Sequence, residues 1–127
     1  MEDTPTRPPL VLIIDDDFAV RDSLAAVMEA FGFRTRTAGN GLEGLEAIGV
    51  EAPSAIITDL YMPQMNGFEL ITALRGSKTG IPVIAISGSA AKDIDGAKRM
   101  GAVAAFPKPL SVFDVIDTVS SLTARAA

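Results

Sequence analysis

Short apolar runs alternate with stretches of helical periodicity from residue 10 almost to the end of the chain. Leu10-Val11-Leu12-Ile13-Ile14 is unbroken, the pattern of a strand covered on both faces. From Phe18 to Phe31 the spacing of Val20, Leu24, Val27, Met28 and Phe31 predicts a helix, closed by Gly32. Phe33 to Ala38 alternates as a short strand, and Asn40 to Ile48 reads as a second helix with Leu42, Leu45 and Ile48 on one face. The unit then recurs. Ala55-Ile56-Ile57 is a strand, and Gly67 to Leu74 a helix carrying Leu70, Ile71 and Leu74. Pro82 to Ile86 is a strand, Ala90 to Met100 a helix, and Ala102 to Phe106 a strand. Leu110 to Leu122 closes the series as a helix, with Val112, Val115, Ile116, Val119 and Leu122 at three- and four-residue steps.

Five strands alternating with five helices predict an α/β protein with a parallel sheet and helices on both faces. Right-handed crossovers leave few topologies, and the flavodoxin-like strand order 2-1-3-4-5 is the expected one. Residues 10–123 form the expected domain. Residues 1–9 hold three prolines and read as a loose lead-in, and residues 124–127 as a short tail too small for a second domain. The start Met1-Glu2-Asp3-Thr4-Pro5 lacks the basic-then-apolar pattern of a signal peptide, and no apolar run is long enough to cross a bilayer. A cytoplasmic location is therefore expected.

Composition narrows the chemistry. Among 127 residues there is no cysteine and no histidine, which excludes disulfides, thiolate metal sites, zinc-binding imidazoles and a phosphohistidine carrier. A formal charge of −5 argues against a nucleic-acid footprint. In an open parallel sheet, ligands bind beyond the carboxyl ends of the strands. There the first strand ends in Asp15-Asp16-Asp17, the third in Thr58-Asp59, the fourth in Ser87, and the fifth runs out into Lys108-Pro109; the second, ending in Ala38-Gly39, offers nothing. Clustered carboxylates raise one another's pKa unless a cation joins them, and an oxygen-only cluster suits Mg²⁺. With Ser87 as a hydrogen-bond donor and Lys108 as a fixed charge, the set reads as a phosphoryl clamp. Its nucleophile must be a carboxylate, because histidine, cysteine and a basic partner for serine are missing.

Four motifs in this order carry a resemblance. Ile13-Ile14-Asp15-Asp16, Asp59-Leu60-Tyr61-Met62-Pro63-Gln64-Met65-Asn66-Gly67, Ser87 after an apolar strand, and Gly101-Ala102 with Lys108-Pro109 resemble a bacterial response-regulator receiver domain across residues 10–123. The resemblance implies that Asp59 accepts the phosphoryl group from a histidine kinase or histidine phosphotransfer protein. It implies that Asp15 and Asp16 hold Mg²⁺, Asp16 directly, with the backbone carbonyl of Tyr61 and Asp59 itself as further ligands. Ser87 and Lys108 would then contact the bound phosphoryl group, and Tyr61 with Ser89 would govern water access to it. Without an output domain, the signal is expected to leave through protein contacts. One position departs from the pattern: three residues before the lysine the family places an aromatic, and here stands Ala105, while Phe106 should point to the opposite side of the strand.

Plainer readings stand beside these. Asp17 reads as an N-cap of the first helix. Pro63 and Gly67 shape the loop after Asp59, and Gly39-Asn40-Gly41 is a turn that lacks the lysine and spacing of a nucleotide loop. A haloacid-dehalogenase-like phosphatase would instead use Asp15 as nucleophile, but leaves Asp59 and the loop after it without a role. A pseudo-receiver would keep the fold as a binding module alone.

Overall fold

The computed structural model describes residues 7–88 and 91–123. The alternation expected from the sequence is present: β1 (Leu10–Ile14), α1 (Phe18–Ala30), β2 (Arg34–Ala38), α2 (Gly41–Val50) and β3 (Ala55–Asp59) form the first half. The second half is α3 (Gly67–Ser77), β4 (Val83–Ser87), α4 (Ala91–Met100), β5 (Ala104–Pro107) and α5 (Val112–Thr123). The strands form one sheet in the order β2-β1-β3-β4-β5, and every pairing is parallel. Residues 1–6 of the expected lead-in and the whole expected tail, 124–127, lie outside the described residues. Among the described residues no helix is long and apolar enough to cross a membrane.

Strand alternation divides the core into two layers. Leu12, Ile14, Ile56, Val83 and Ala85 face one side, where Leu70, Ile71 and Leu74 of α3 and Ala97 of α4 cover them. Val11, Ile13, Ile57, Ile84 and Ile86 face the other, under Leu24, Ala25 and Met28 of α1 and Val115, Ile116 and Val119 of α5. All residues of β1, β3 and β4 are buried, which accounts for their unbroken apolar runs. Each such Leu or Ile contributes roughly 1.5–3 kcal/mol through burial. The edge strand β2 is only partly covered and carries arginines and threonines instead. Arg34 clamps Glu51 there through two hydrogen bonds of 3.2 and 2.7 Å, and donates a third to the carbonyl of Pro8. Charged side chains along an edge discourage pairing with another chain.

Helix ends follow local capping chemistry. The Asp17 carboxylate accepts from the N–H groups of Ala19 and Val20 at 2.9 and 3.4 Å, the N-cap role read for it from sequence. Asn66 and Glu69 form a reciprocal capping box at the start of α3. Several boundaries differ from the sequence reading. Phe31 is the C-cap of α1 and more than half exposed, not part of its buried face. Leu42 of α2 also faces solvent, because the stripe turned to the sheet is Gly44 with Leu45 and Ile48, while Gly41 packs on Met65 of the loop after β3. Helix α5 starts at Val112 and not Leu110: Pro109 interrupts the chain, and the Ser111 carbonyl accepts the first helical bonds, from Asp114 and Val115. Leu110 still packs against the core from outside the helix.

Gly44 lets α2 come close to the sheet. A Cβ on it would stand 2.5 Å from Cδ1 of Ile14, the last residue before the acidic triplet. Gly49, in the same helix, has nothing within 4 Å of the equivalent position. Gly44→Val should therefore lower stability by about 1–3 kcal/mol through overpacking, whereas Gly49→Ala should raise it by up to about 1 kcal/mol through helix propensity. Urea unfolding of the two variants checks both signs, and equal effects would remove the close-packing explanation.

Candidate functional site

Register brings the polar residues together. Ile14 is level with Thr58, Asp59 with Ile86, and Ser87 with Pro107, so Asp15, Asp59, Ser87 and Lys108 emerge side by side at the carboxyl edge of the sheet. Backbone bonds continue the ladder past the strands: Asp15 N–H donates to Ala38, Leu60 N–H to Ile86, and Lys108 N–H to Ser87. The Lys108–Pro109 peptide is cis.

Asp15 is wholly buried and Asp59 nearly so, at 0% and 7% exposure, while Asp16 stands in solvent. The Lys108 ammonium bridges the two buried acids, donating to Oδ2 of Asp15 at 3.2 Å and to Oδ2 of Asp59 at 3.3 Å. The other Asp15 oxygen accepts the N–H of Asp17 at 2.9 Å, and the Asp15 carbonyl accepts Nη1 of Arg21. Loss of water pushes the Asp15 carboxyl above its ordinary value; the Asp17 N–H and Lys108 oppose that shift, and the charge of Asp59 reinforces it. Burial alone would pull the Lys108 ammonium down, but the charges of Asp59 and Asp15 outweigh it and leave the group more basic than a free lysine. Lys108 is thus cationic at neutral pH, and one positive charge serves two carboxylates.

Carboxylate oxygens of Asp15, Asp16 and Asp59 all lie within 4.8 Å of one another, close enough for one cation. Oxygen donors alone, one acid open to solvent and a buried acid destabilised by loss of water and by the charge of Asp59 fit a hard divalent ion. Ser87 is fully buried at the end of β4. Ser89 lies outside the described residues.

The loop after Asp59 is held by a close approach. A Cβ at Gly67 would fall 2.3 Å from the Asp59 carbonyl oxygen, and Gly67 N–H donates to the Leu60 carbonyl at 3.0 Å. Only glycine lets the start of α3 close against the end of β3. Tyr61 follows on this loop: its ring meets Phe68 edge-on at 5.9 Å, and its hydroxyl donates to Oδ1 of Asp93 in α4 at 2.9 Å. On β5, Ala105 packs into the layer of α3 and α4 and Phe106 into the opposite one, as side-chain alternation required. Sequence reasoning missed the partner of Tyr61, since nothing local links positions 61 and 93. It also took the end of β2 as silent, whereas Asn40 reaches the loop after Asp59 and donates to Gln64.

A five-stranded parallel α/β fold whose first, third and fifth strands deliver carboxylates and a lysine to one crevice defines the receiver class. Residues 11–120 match the response regulator receiver domain, and the chain belongs to that family. Sporulation initiation phosphotransferase F of Bacillus subtilis (strain 168) is 31% identical over 110 residues, 86% of this chain and 89% of that protein. The transcriptional regulatory protein PrrA of Mycobacterium tuberculosis (strain ATCC 25618 / H37Rv) is 33% identical over 124 residues, 97% of this chain and 53% of PrrA. The chain spans about half the length of this and several other curated relatives. Among solved structures, the receiver domain of the Francisella response regulator 1452 superposes with a TM-score of 0.85 at 29% identity, covering 90% of this chain and 95% of that one. The chain is a receiver domain homologous to response regulators, and its acidic cluster fits a phosphoacceptor site.

The split of the acidic triplet yields a measurable contrast. Asp16 offers an oxygen to the cluster, whereas Asp17 spends its carboxylate on the α1 cap. Asp16→Ala should weaken divalent-ion binding strongly, while Asp17→Ala should leave it near wild type and cost about 1 kcal/mol of stability. Titration with Mg²⁺ and thermal unfolding of both variants give the two readouts. Equal losses of ion binding would show that the triplet is not divided in this way.

Proposed function

We propose that this chain receives a phosphoryl group on Asp59 from a phosphohistidine of a histidine kinase or phosphotransfer protein, with Mg²⁺ bound at the acidic cluster. The observation that carries the reading is Lys108, whose ammonium joins the buried carboxylates of Asp15 and Asp59 at the sheet edge. An Asp59 oxygen attacks phosphorus, the phosphorus–nitrogen bond to the donor imidazole breaks, and the imidazole leaves with the electron pair and takes up a proton. The product is an acyl phosphate. Lys108, against the Asp59 carboxylate, would follow the new charge to the phosphoryl oxygen, and Ser87, at the end of the neighbouring strand, would donate a hydrogen bond to it. Asp15, Asp16, Asp59 and the Tyr61 carbonyl would hold the metal. When bound, Mg²⁺ would neutralise part of the carboxylate and phosphoryl charge.

The phosphatase reading gains nothing from the geometry. Both oxygens of Asp15 accept hydrogen bonds, from Asp17 N–H and Lys108, and the side chain is fully enclosed. That suits a metal ligand more than a nucleophile. Acetyl phosphate or beryllofluoride with Mg²⁺ should accordingly modify or occupy Asp59, and Asp59→Asn should abolish the mass increase given by acetyl phosphate. Intact-mass spectrometry decides it. Undiminished labelling of Asp59→Asn, with phosphate on Asp15, would favour the phosphatase-like chemistry instead.

Tyr61 bears on the lifetime of the product. Its hydroxyl is engaged by Asp93, which favours the ring, as a barrier to water, over the hydroxyl as an orienter of water. Tyr61→Ala should shorten the lifetime of the phosphorylated form, and Tyr61→Phe should leave it close to wild type. A dephosphorylation time course separates the two roles. A lifetime unchanged or prolonged in Tyr61→Ala would exclude shielding.

A further inference from the structure

The loop between β3 and α3 holds an unusual backbone. Gln64 has φ of 67°, in the left-handed region that a side chain with a Cβ rarely occupies. Such a conformation is strained and persists where surrounding contacts over-determine it. Those contacts come from the end of β2. Asn40 is 8% exposed, and both ends of its amide are used: Oδ1 accepts Glu43 N–H as the N-cap of α2, and Nδ2 donates to Oε1 of Gln64 at 2.8 Å. One residue on, Gly41 N–H donates to the Met65 carbonyl at 3.0 Å. The loop is therefore tied at its start by Leu60 to Ile86 and Gly67, and at its far side by Asn40 and Gly41 to Gln64 and Met65. Tyr61 lies between these ties.

We propose that Asn40 and Gln64 are positioning residues for the metal site: their hydrogen bond holds the left-handed turn and so fixes the Tyr61 carbonyl for a divalent ion. The inference rests on the proposed role of that carbonyl as a ligand. Neither side chain belongs to the acidic cluster. Asn40 acts through Gln64, and Gln64 through the backbone that leads back to Tyr61. A single carbonyl among carboxylates has no charge to draw the ion, so its contribution depends on being held in place before the ion arrives.

The test separates positioning from folding. Asn40→Ser keeps an oxygen to cap α2 but is too short to reach Gln64, and Gln64→Met keeps the side-chain length without an acceptor. Mg²⁺ titrations followed by amide chemical shifts should show affinity reduced about fivefold in each, the loss expected of one hydrogen bond. Melting temperatures of the metal-free proteins should stay close to wild type. Gln64→Glu retains an acceptor oxygen and should restore affinity while Asn40 is present. In the Asn40→Ser, Gln64→Glu double variant that recovery should disappear; if it persists, added charge and not the hydrogen bond explains it, and the proposal falls. Lower melting temperature with unchanged affinity would also overturn it, leaving the pair a structural tie. Asp16→Ala serves as the control. Loss of binding there with full binding in Asn40→Ser and Gln64→Met defeats only the positioning role, while undiminished binding in Asp16→Ala defeats the metal reading and this inference together.

Discussion

Two carboxylates buried side by side repel each other, and the site exists because Lys108 lies against both. Lys108 follows the strand at one edge of the sheet, Asp59 ends the central strand β3, and Asp15 follows β1 on the other side of β3. The contact therefore requires that β1, β3, β4 and β5 have paired in the right order and register. It also leaves the charges unbalanced, one ammonium against two buried acids with Asp16 nearby, and burial keeps Asp15 above its ordinary pKa. A site in that condition favours whatever brings further positive charge.

The rest of the sheet edge serves to hold this arrangement without covering it. Gly44 lets α2 press on Ile14 directly beneath Asp15, and Gly67 lets α3 begin almost on the Asp59 carbonyl. Capping residues start the neighbouring helices at once: Asp17 for α1, Asn40 for α2 and Asn66 for α3. Loops so short and so well anchored leave little slack for the acids to drift apart. Tyr61, by contrast, reaches from the Asp59 loop to Asp93 on α4, and so joins the site to a helix that contributes no charge to the cluster. In a chain with Ala105 at the usual aromatic position, that bridge is a physical connection between the crevice and the α4 side of the molecule.

The architecture was legible because each buried strand is written as an unbroken apolar run and each helix by its stripe. Leu10 to Ile14 is buried on both faces, so every position had to be apolar. The candidate site was legible because a parallel α/β fold sends its strand ends to one edge, and the polar residues there stand directly after those runs. Leu42 misled for a physical reason. Apolar spacing says which side chains could share a face, but close packing through Gly41 and Gly44 decides which face is used.

By itself, then, the sequence determined the order of elements, the two-sided core, the Asp17 cap and the set Asp15, Asp16, Asp59, Ser87 and Lys108, all of which depend on local pattern and strand position. Tertiary structure alone decided that one lysine serves two acids, that Asn40 holds Gln64 in a left-handed turn, and that Tyr61 meets Asp93. Those contacts join residues 24 to 93 positions apart. No propensity or period encodes such a distance, because the partners become neighbours only when the sheet has been assembled.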